Sequence, residues 1–558
     1  MVVWMLAGLA SAAEPEQDAV LQALVAENEA TMAAWEGGQD ALYFLGFRAV
    51  QHESQRLVAI AGGVDALPRT QRRRTLDVMA RVGDYDLDST HRIRGSDSRA
   101  WWGSYQGRQL PIDDDVLALR HAVWSQTEEA VETARKGITR VRTNQAVKVE
   151  EQESAGDFSR EEPVVDLRPQ SSLSVDVSTW TPLLTELSLV LADEPDIVTH
   201  RLALMAETDT EWIVTSEGTR IRQTRHHLRL SIQAGAVADD GMDVSLYRWR
   251  DVHDASALPD EAELRAWVQT LRQDVLDLRE APRADPWSGP VLLLGRAAGV
   301  FVHEVIGHRV EGHRQEDEDE GQTFKALVGQ QVTDPSISIV DDPTLAIYAG
   351  EHLNGHYAYD QEGVPAQKAT IVQDGVFQGF LLSRNPIPGH DRSNGHGRAQ
   401  VGLAPVARMA NTMVLTSKPQ SEAQLKAQLR AEAKQRGLPY GLMVDDLNGG
   451  FTLTGRYTPN AFNIRAVRAW RVYADGRPDE LVRGVDLVGT PIEALRNIVA
   501  AGDEPGVFNG YCGAESGSVP NAAVSPSLLL RSLEIQKKET SLDRPPLLPK
   551  PGLPGGDS

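Results

Sequence analysis

His303-Glu304-Val305-Ile306-Gly307-His308 sets two imidazoles around a carboxylate, and Cys512 is the one cysteine in 558 residues. Neutral imidazoles coordinate a divalent ion, and a neighbouring carboxylate can deprotonate a water bound to that ion, the chemistry of a hydrolytic metal site. The histidines stand one residue further apart than in the familiar H-E-x-x-H pattern. At about 100° per residue, positions five apart lie roughly 140° apart around a regular helix, too far for both imidazoles to reach one ion. The spacing therefore predicts that a helix beginning near Arg296 loses α geometry around Ile306 and Gly307, turning His308 back toward the ion. A straight helix through His308 would make the motif a coincidence.

A catalytic zinc takes three protein ligands and keeps its fourth position for water. A downstream Asp, Glu, His or Cys has to supply the third. Cys512 is attractive because it lies in Asn509-Gly-Tyr-Cys-Gly-Ala514, where glycines let the backbone approach another element. A thiolate ligand also partly neutralises the ion and lowers its Lewis acidity. The competing reading is a buried thiol beside two surface histidines. Glu304, next to a ligand without being one, is the natural general base. Glu311 and His313 are candidates for orienting a ligand imidazole, and Glu311 also competes with Cys512 for the metal. His396 and Arg398, in the glycine-rich loop from Asn394 to Gln400, offer an oxyanion donor, a clamp for a substrate carboxylate, or plain loop structure. His226 and His227 fall in a strand pattern that points them to opposite faces, which argues against a shared ion. The acidic run from Glu316 to Glu320 reads as a solvated segment. No Walker A loop, dinucleotide fingerprint, Gly-x-Ser-x-Gly elbow or Cys-x-x-Cys pair is present.

The elements that must position these groups follow from periodicity. Val20, Leu21, Leu24, Val25, Met32 and Trp35 recur at helical spacing. Residues 41–50 and 54–60 read as the arms of a hairpin, and 75–82 alternate like a half-buried strand. Helices are expected over 116–136 and 260–280, with another starting at Thr181-Pro182. Residues 212–236 read as a hairpin turning near Glu217-Gly218, and the acidic stretch 150–163 as an exposed loop. Turn-rich residues 282–290 precede a short apolar strand, Val291 to Leu294, and then the motif helix. Beyond Asp334 the pattern is mostly β, with a hairpin turn at Asp374-Gly375. Two helices interrupt it: 421–436, and 490–500 with Thr490 and Glu493 as a capping box.

The formal net charge of −23 argues against nucleic acid or an anionic membrane as main partner. A single cysteine excludes an intramolecular disulfide. Residues 1–13, ending in Ala10-Ser-Ala12, have the apolar run and small-residue site of a secretory signal, although no basic residue precedes them. They point to export to the periplasm or the extracellular space, with a cytoplasmic location as the alternative. No later segment is long and apolar enough to span a membrane. The expected organisation is α+β: an N-terminal α/β domain over 14–285 with helices packed on a sheet, then a β-rich, barrel-like antiparallel domain over 286–541 carrying the metal site. A Pro/Gly-rich tail, 542–558, is expected to be disordered.

His303-Glu-Val-Ile-Gly-His308 with Glu311 resembles the H-E-x-x-x-H signature of the TldD/PmbA (TldD/TldE) metallopeptidases, and Gly510-Tyr-Cys-Gly513 followed by Val519-Pro520 resembles their cysteine segment. The likeness runs over most of residues 17–537 and is strongest over 288–315 and 456–524. It implies a zinc peptidase with one Zn²⁺ per active subunit, held by His303, His308 and Cys512, with Glu304 as base. It also implies a homodimer, or a heterodimer with a TldE-like subunit lacking the motif, enclosing the site so that only small or unfolded, extended peptides enter. Because this chain keeps the motif, it resembles the active subunit. Two other functions compete. Another metal-dependent amide hydrolase, such as a peptide deformylase, uses the same ligand types but places its cysteine before an H-E-x-x-H helix. A non-catalytic peptide-binding or scaffold subunit would have no use for Glu304.

Overall fold

A computed structural model describes residues 18–537 apart from 36, 38–39, 66–68, 94–106, 146–154, 174, 318 and 458–460. The signal-like segment 1–13 and the tail 542–558 lie outside the described residues. Among the described residues no helix is long and apolar enough to cross a membrane.

The N-terminal part is a sheet, antiparallel except for the short strand Val165–Leu167, with helices laid on it. Its long strands are β1 (Leu42–Ile60), β2 (Gln71–Val82), β3 (Ile197–Thr215), β4 (Arg220–Val237) and β5 (Asp243–Val252), in the order β2-β1-β3-β4-β5. The helices are α1 (Ala19–Ala34), α2 (Val116–Gln145), α3 (Val177–Ala192) and α4 (Glu261–Glu280). Alternation fixes which side they cover. Leu202, Leu204 and Ala206 of β3, with Leu228, Leu230 and Ile232 of β4, join the core beneath α3 and α4. The intervening residues form a polar face. There Glu207 pairs with His227, Asp209 with Arg225 and Glu211 with Gln223 across the β3–β4 ladder.

Two local expectations fail here. The stretch expected as a hairpin over 41–60 forms one strand, Leu42–Ile60. Gln51, His52 and Glu53, which resemble a turn in sequence, are matched across the sheet: the Arg74 guanidinium donates to Gln51 Oε1, and His52 Nδ1 lies 2.7 Å from Asp209. The chain reverses instead at Ala61-Gly62, both at positive φ. Helix α3 starts at Val177, not at Thr181, because Asp176 accepts from the Ser178 amide and caps it; Pro182 lies inside.

The C-terminal part is built on β6 (Trp287–Leu293), β7 (Ile337–Asp341), β8 (Ala369–Gln373), β9 (Asn411–Thr416), β10 (Tyr440–Thr452), β11 (Phe462–Tyr473), β12 (Val485–Gly489), β13 (Ile498–Ala514) and β14 (Gly517–Lys537). Strands β14, β12, β11, β10 and β6 follow one another and β6 pairs back onto β14, so five strands close a barrel. Strand β6 begins at Trp287, earlier than its apolar run, because Gly289 and Ser288 pair with Leu533 and Glu534. Strands β9, β7 and β8 extend the sheet from β14. The Asp374-Gly375 turn forms as expected, both residues at positive φ. Ser421 and Gln424 make a capping box at α6 (Glu422–Gln435). The box expected at Thr490 is absent: its side chain makes no cap bond, the helix there is only Pro491–Arg496, and Ile498 already begins β13.

Candidate metal centre

The motif helix, α5 (Gly295–Val305), leaves the end of β6 and is buried from Ala297 onward. It packs on β14, β10 and β13, so its apolar residues face protein on every side. It stops where the spacing demands. Ile306 departs to φ −118°, and Gly307–Val310 continue as a 3₁₀ turn. The tighter winding brings His308 round, and the His303 and His308 rings meet edge to face with centroids 5.1 Å apart. Gly307 makes this possible, since a Cβ there would run into the Met409 thioether.

The third group arrives from the far end of the chain. Strands β13 and β14 form a hairpin around Glu515-Ser516, with Cys512 opposite Val519. The Cys512 Sγ lies 3.3 Å from His308 Nε2, and one donor atom each of His303, His308 and Cys512 falls within 4.8 Å of the others. All three residues are buried. Tetrahedral zinc with bonds of about 2.0–2.3 Å places its nitrogen and sulfur ligands roughly 3.5 Å apart, so this donor set fits the ion. Glu311, the alternative third ligand, is not in this group. Its Oε2 instead lies 3.2 Å from the outer nitrogen of His308, Nδ1, where it accepts the ring N–H and leaves Nε2 as the donor toward the ion. The Asn521 carboxamide nitrogen Nδ2 lies 3.1 Å from His303 Nδ1 and holds that ring in place.

Glu304 sits on the last turn of α5 with its Oε2 buried and, among the described residues, without a hydrogen-bond partner. Room for it comes from Gly450, where a Cβ would approach Glu304 Cγ to 2.9 Å. Arg309 donates to the Glu304 carbonyl at 2.9 Å and fixes the backbone beneath it. A buried carboxylate oxygen with no partner, beside three convergent soft and borderline donors, is an arrangement for holding a proton in transit.

Charge in the centre is balanced pairwise. Burial pushes the Cys512 thiol up, but the adjacent His308 and His303 outweigh this and hold it well below the usual thiol range. Burial pushes His308 down, while Cys512 and Glu311 raise it well above the usual imidazole value. Burial likewise opposes ionisation of Glu311, yet His308, Arg314 and Arg408 bring it to about 2. Glu311, His313 and Glu515 also cluster. Arg314 bonds Glu311, Glu320 and Glu515, His313 pairs with Glu515, and Arg408 bonds Glu311. These carboxylates are already neutralised, so this second group is an ion-pair network that braces the first.

His396 and Arg398 lie away from the donor atoms. His396 is fully buried, its Nδ1 against Asn394 and its Nε2 3.4 Å from Asp341. Arg398 donates to the carbonyls of Met409 and Pro520. Arg398 ties the segment carrying Met409 to β14, while His396 faces Asp341 of β7. His226 bonds Ser171 and Thr208 while His227 bonds Asp251, on opposite faces as expected. Sequence reasoning missed Asn521, Glu515 and Arg408. The only signal for Arg408 is a lone cation in the small apolar run Val406-Ala-Arg-Met-Ala410, the mark of a buried charge with a fixed partner.

Residues 287–537 match the family model described as the PmbA/TldA metallopeptidase C-terminal domain. A metalloprotease of Archaeoglobus fulgidus is 34% identical over 245 residues, 43% of this chain and 52% of that protein. A metalloprotease TldD homolog of Haemophilus influenzae is 30% identical over 275 residues, 48% of this chain and 52% of that protein. The chain thus spans about half the length of the curated relatives it matches. The solved structure of TldE from Thermococcus kodakarensis shares the fold at a TM-score of 0.60 and 14% identity, covering 92% of this chain and all of that one.

Proposed function

We propose that this chain, whose residues 287–537 match the PmbA/TldA metallopeptidase C-terminal domain, is a TldD/PmbA-type peptidase that hydrolyses peptide bonds at the centre formed by His303, His308, Cys512 and Glu304. His303, His308 and Cys512 would hold one zinc ion. When bound, the ion supplies Lewis-acid polarisation of the scissile carbonyl and acidifies a water. Glu304 takes the proton of the attacking water at Oε2 as the new C–O bond forms, then hands it to the departing amine nitrogen as the C–N bond breaks. Glu311 keeps the His308 imidazole in the tautomer that presents Nε2, and Asn521 positions the His303 ring. The observation carrying this reading is the convergence of three donors from residues 303–308 and 512 beside a buried carboxylate oxygen without a partner.

Burial of all four groups supports a thin, extended substrate: a short or unfolded peptide threads to the site and a folded protein does not. The likeness in fold to a TldE supports a dimeric working form, with a TldE-like subunit or a second copy. The apolar residues 2–9 with Ala10-Ser-Ala12 support an exported protein. Glu304→Gln tests the mechanism. Zinc content should stay as in the wild type while turnover of an unstructured peptide falls by roughly 10²–10⁴-fold, the usual worth of a general base. Undiminished turnover would remove Glu304 from the mechanism.

A further inference from the structure

Arg408 has all five of its guanidinium N–H groups engaged in the wall of the metal centre, and its side chain is fully buried. Nε donates to Glu311 Oε1 at 3.2 Å. Nη1 donates to Ser516 Oγ at 2.8 Å and to the Gly517 carbonyl at 3.0 Å. Nη2 donates to the Cys512 carbonyl at 2.7 Å and to the Cys512 Sγ at 3.2 Å. The other carboxylate oxygen of Glu311 rests on His308 Nδ1 at 3.2 Å, and His308 Nε2 faces the same sulfur at 3.3 Å. One closed circuit thus runs from His308 through Glu311 and Arg408 to Cys512 and back.

We propose that Arg408 is a positioning residue that clamps Cys512 to His308 through Glu311 and, by its N–H to the sulfur, tunes the thiolate as a metal ligand. Two physical consequences follow. A planar fork with fixed donor directions sets the distance between two ligands that stand 204 residues apart. A hydrogen bond to a thiolate withdraws electron density from it, so less charge passes to the ion and more electrophilicity remains for the carbonyl. A cysteine ligand otherwise weakens a hydrolytic centre, and Arg408 offsets that. Lysine keeps the charge but lacks the fork, and cannot bridge Glu311 and Cys512 together.

This inference rests on the reading of His303, His308 and Cys512 as metal ligands, and the experiment separates the two. Wild type, Arg408→Lys, Arg408→Met and Ser516→Ala are stripped and loaded with Co²⁺, and the thiolate-to-cobalt charge-transfer band is recorded alongside kcat and KM. The wild type should show the band. In both Arg408 variants it should move to longer wavelength, because a sulfur without its N–H donor gives up charge more readily. Their kcat should fall by roughly 10–100-fold, the usual effect of losing a partner of a metal ligand, with KM nearly constant. Ser516→Ala, which loosens the same hairpin but leaves the N–H on sulfur, should keep the wild-type band, and this holds the test even where one Arg408 variant fails to fold. A wild type that binds cobalt without a thiolate band overturns the ligand assignment itself. A wild-type band that is unmoved in Arg408→Lys or Arg408→Met overturns the role of Arg408 alone.

Discussion

At the scale of residues, the centre works by leaving one group without a partner and giving every other group several. Glu304 Oε2 has no partner among the described residues, whereas Glu311 is held by His308, Arg314 and Arg408. Replacing Glu311 with Leu takes a carboxylate from two buried guanidiniums, leaving Arg314 its bonds to Glu320 and Glu515 and Arg408, among the described residues, none to a carboxylate. Breaking a buried pair costs about 3–5 kcal/mol, which urea denaturation of the metal-free protein should register. A second residue-scale prediction concerns pH. Burial lifts the Glu362 carboxyl from its ordinary 4.5 to about 7, against the opposing pull of the Arg384 amide and guanidinium. In that window the folded state holds a proton that the unfolded state has released. Stability from this group is therefore complete below about pH 4.5 and is lost as pH rises through 7. Glu362→Gln keeps an oxygen for the Arg384 amide and cannot ionise. Its stability should fall less than that of the wild type between pH 5 and pH 8, by roughly 1–3 kcal/mol. Parallel pH profiles would remove Glu362 as the cause. The clustering of His303, His308 and Cys512 was legible because coordination admits few residue types. Arg408 was not, since its partners stand about a hundred residues away on either side.

At the scale of elements, a helix has to fail at a set place. Gly307 allows the change from α to 3₁₀ geometry against Met409, and the histidine spacing alone foretold that break. Gly307→Ala should push on the thioether, cost about 1–3 kcal/mol as overpacking does, and weaken zinc binding by displacing His308. Adding Met409→Ala should restore much of both in a double-mutant cycle. Additive losses would show that Gly307 acts otherwise. The failure to foresee β1 as one strand has the opposite logic. Polar residues at 51–53 end a strand in most sequences, and here Arg74 and Asp209 lie on neighbouring strands that no local pattern reveals. Caps followed the same division: Ser421 with Gln424 is a local bargain and formed, while Thr490 lost to the pairing that begins β13 at Ile498.

At the scale of the whole molecule, the N-terminal sheet turns its polar face to the part that carries the metal centre. Trp249 Nε1 donates to the Asn509 carbonyl at 3.1 Å, its ring stands edge-on to Phe508, and Arg296 of α5 lies over it. Asn509 is on the same strand as Cys512, so one sheet steadies the strand that carries the proposed ligand. Trp249→Ala should lower zinc affinity although it touches no ligand, while Trp249→Phe, which keeps the ring contacts, should lower it less; equal affinities in all three proteins would mean the two parts are uncoupled. That β6 closes the barrel on β14 was not legible from its short apolar run, because strand partners are chosen by the fold and not by the strand. The central claim is that His303, His308 and Cys512 bind one divalent ion together. It is tested most directly by zinc stoichiometry of wild type and Cys512→Ala after chelator stripping and re-equilibration at one fixed free zinc concentration. The wild type should hold one ion per chain and Cys512→Ala almost none; equal zinc in the two would contradict the centre described above.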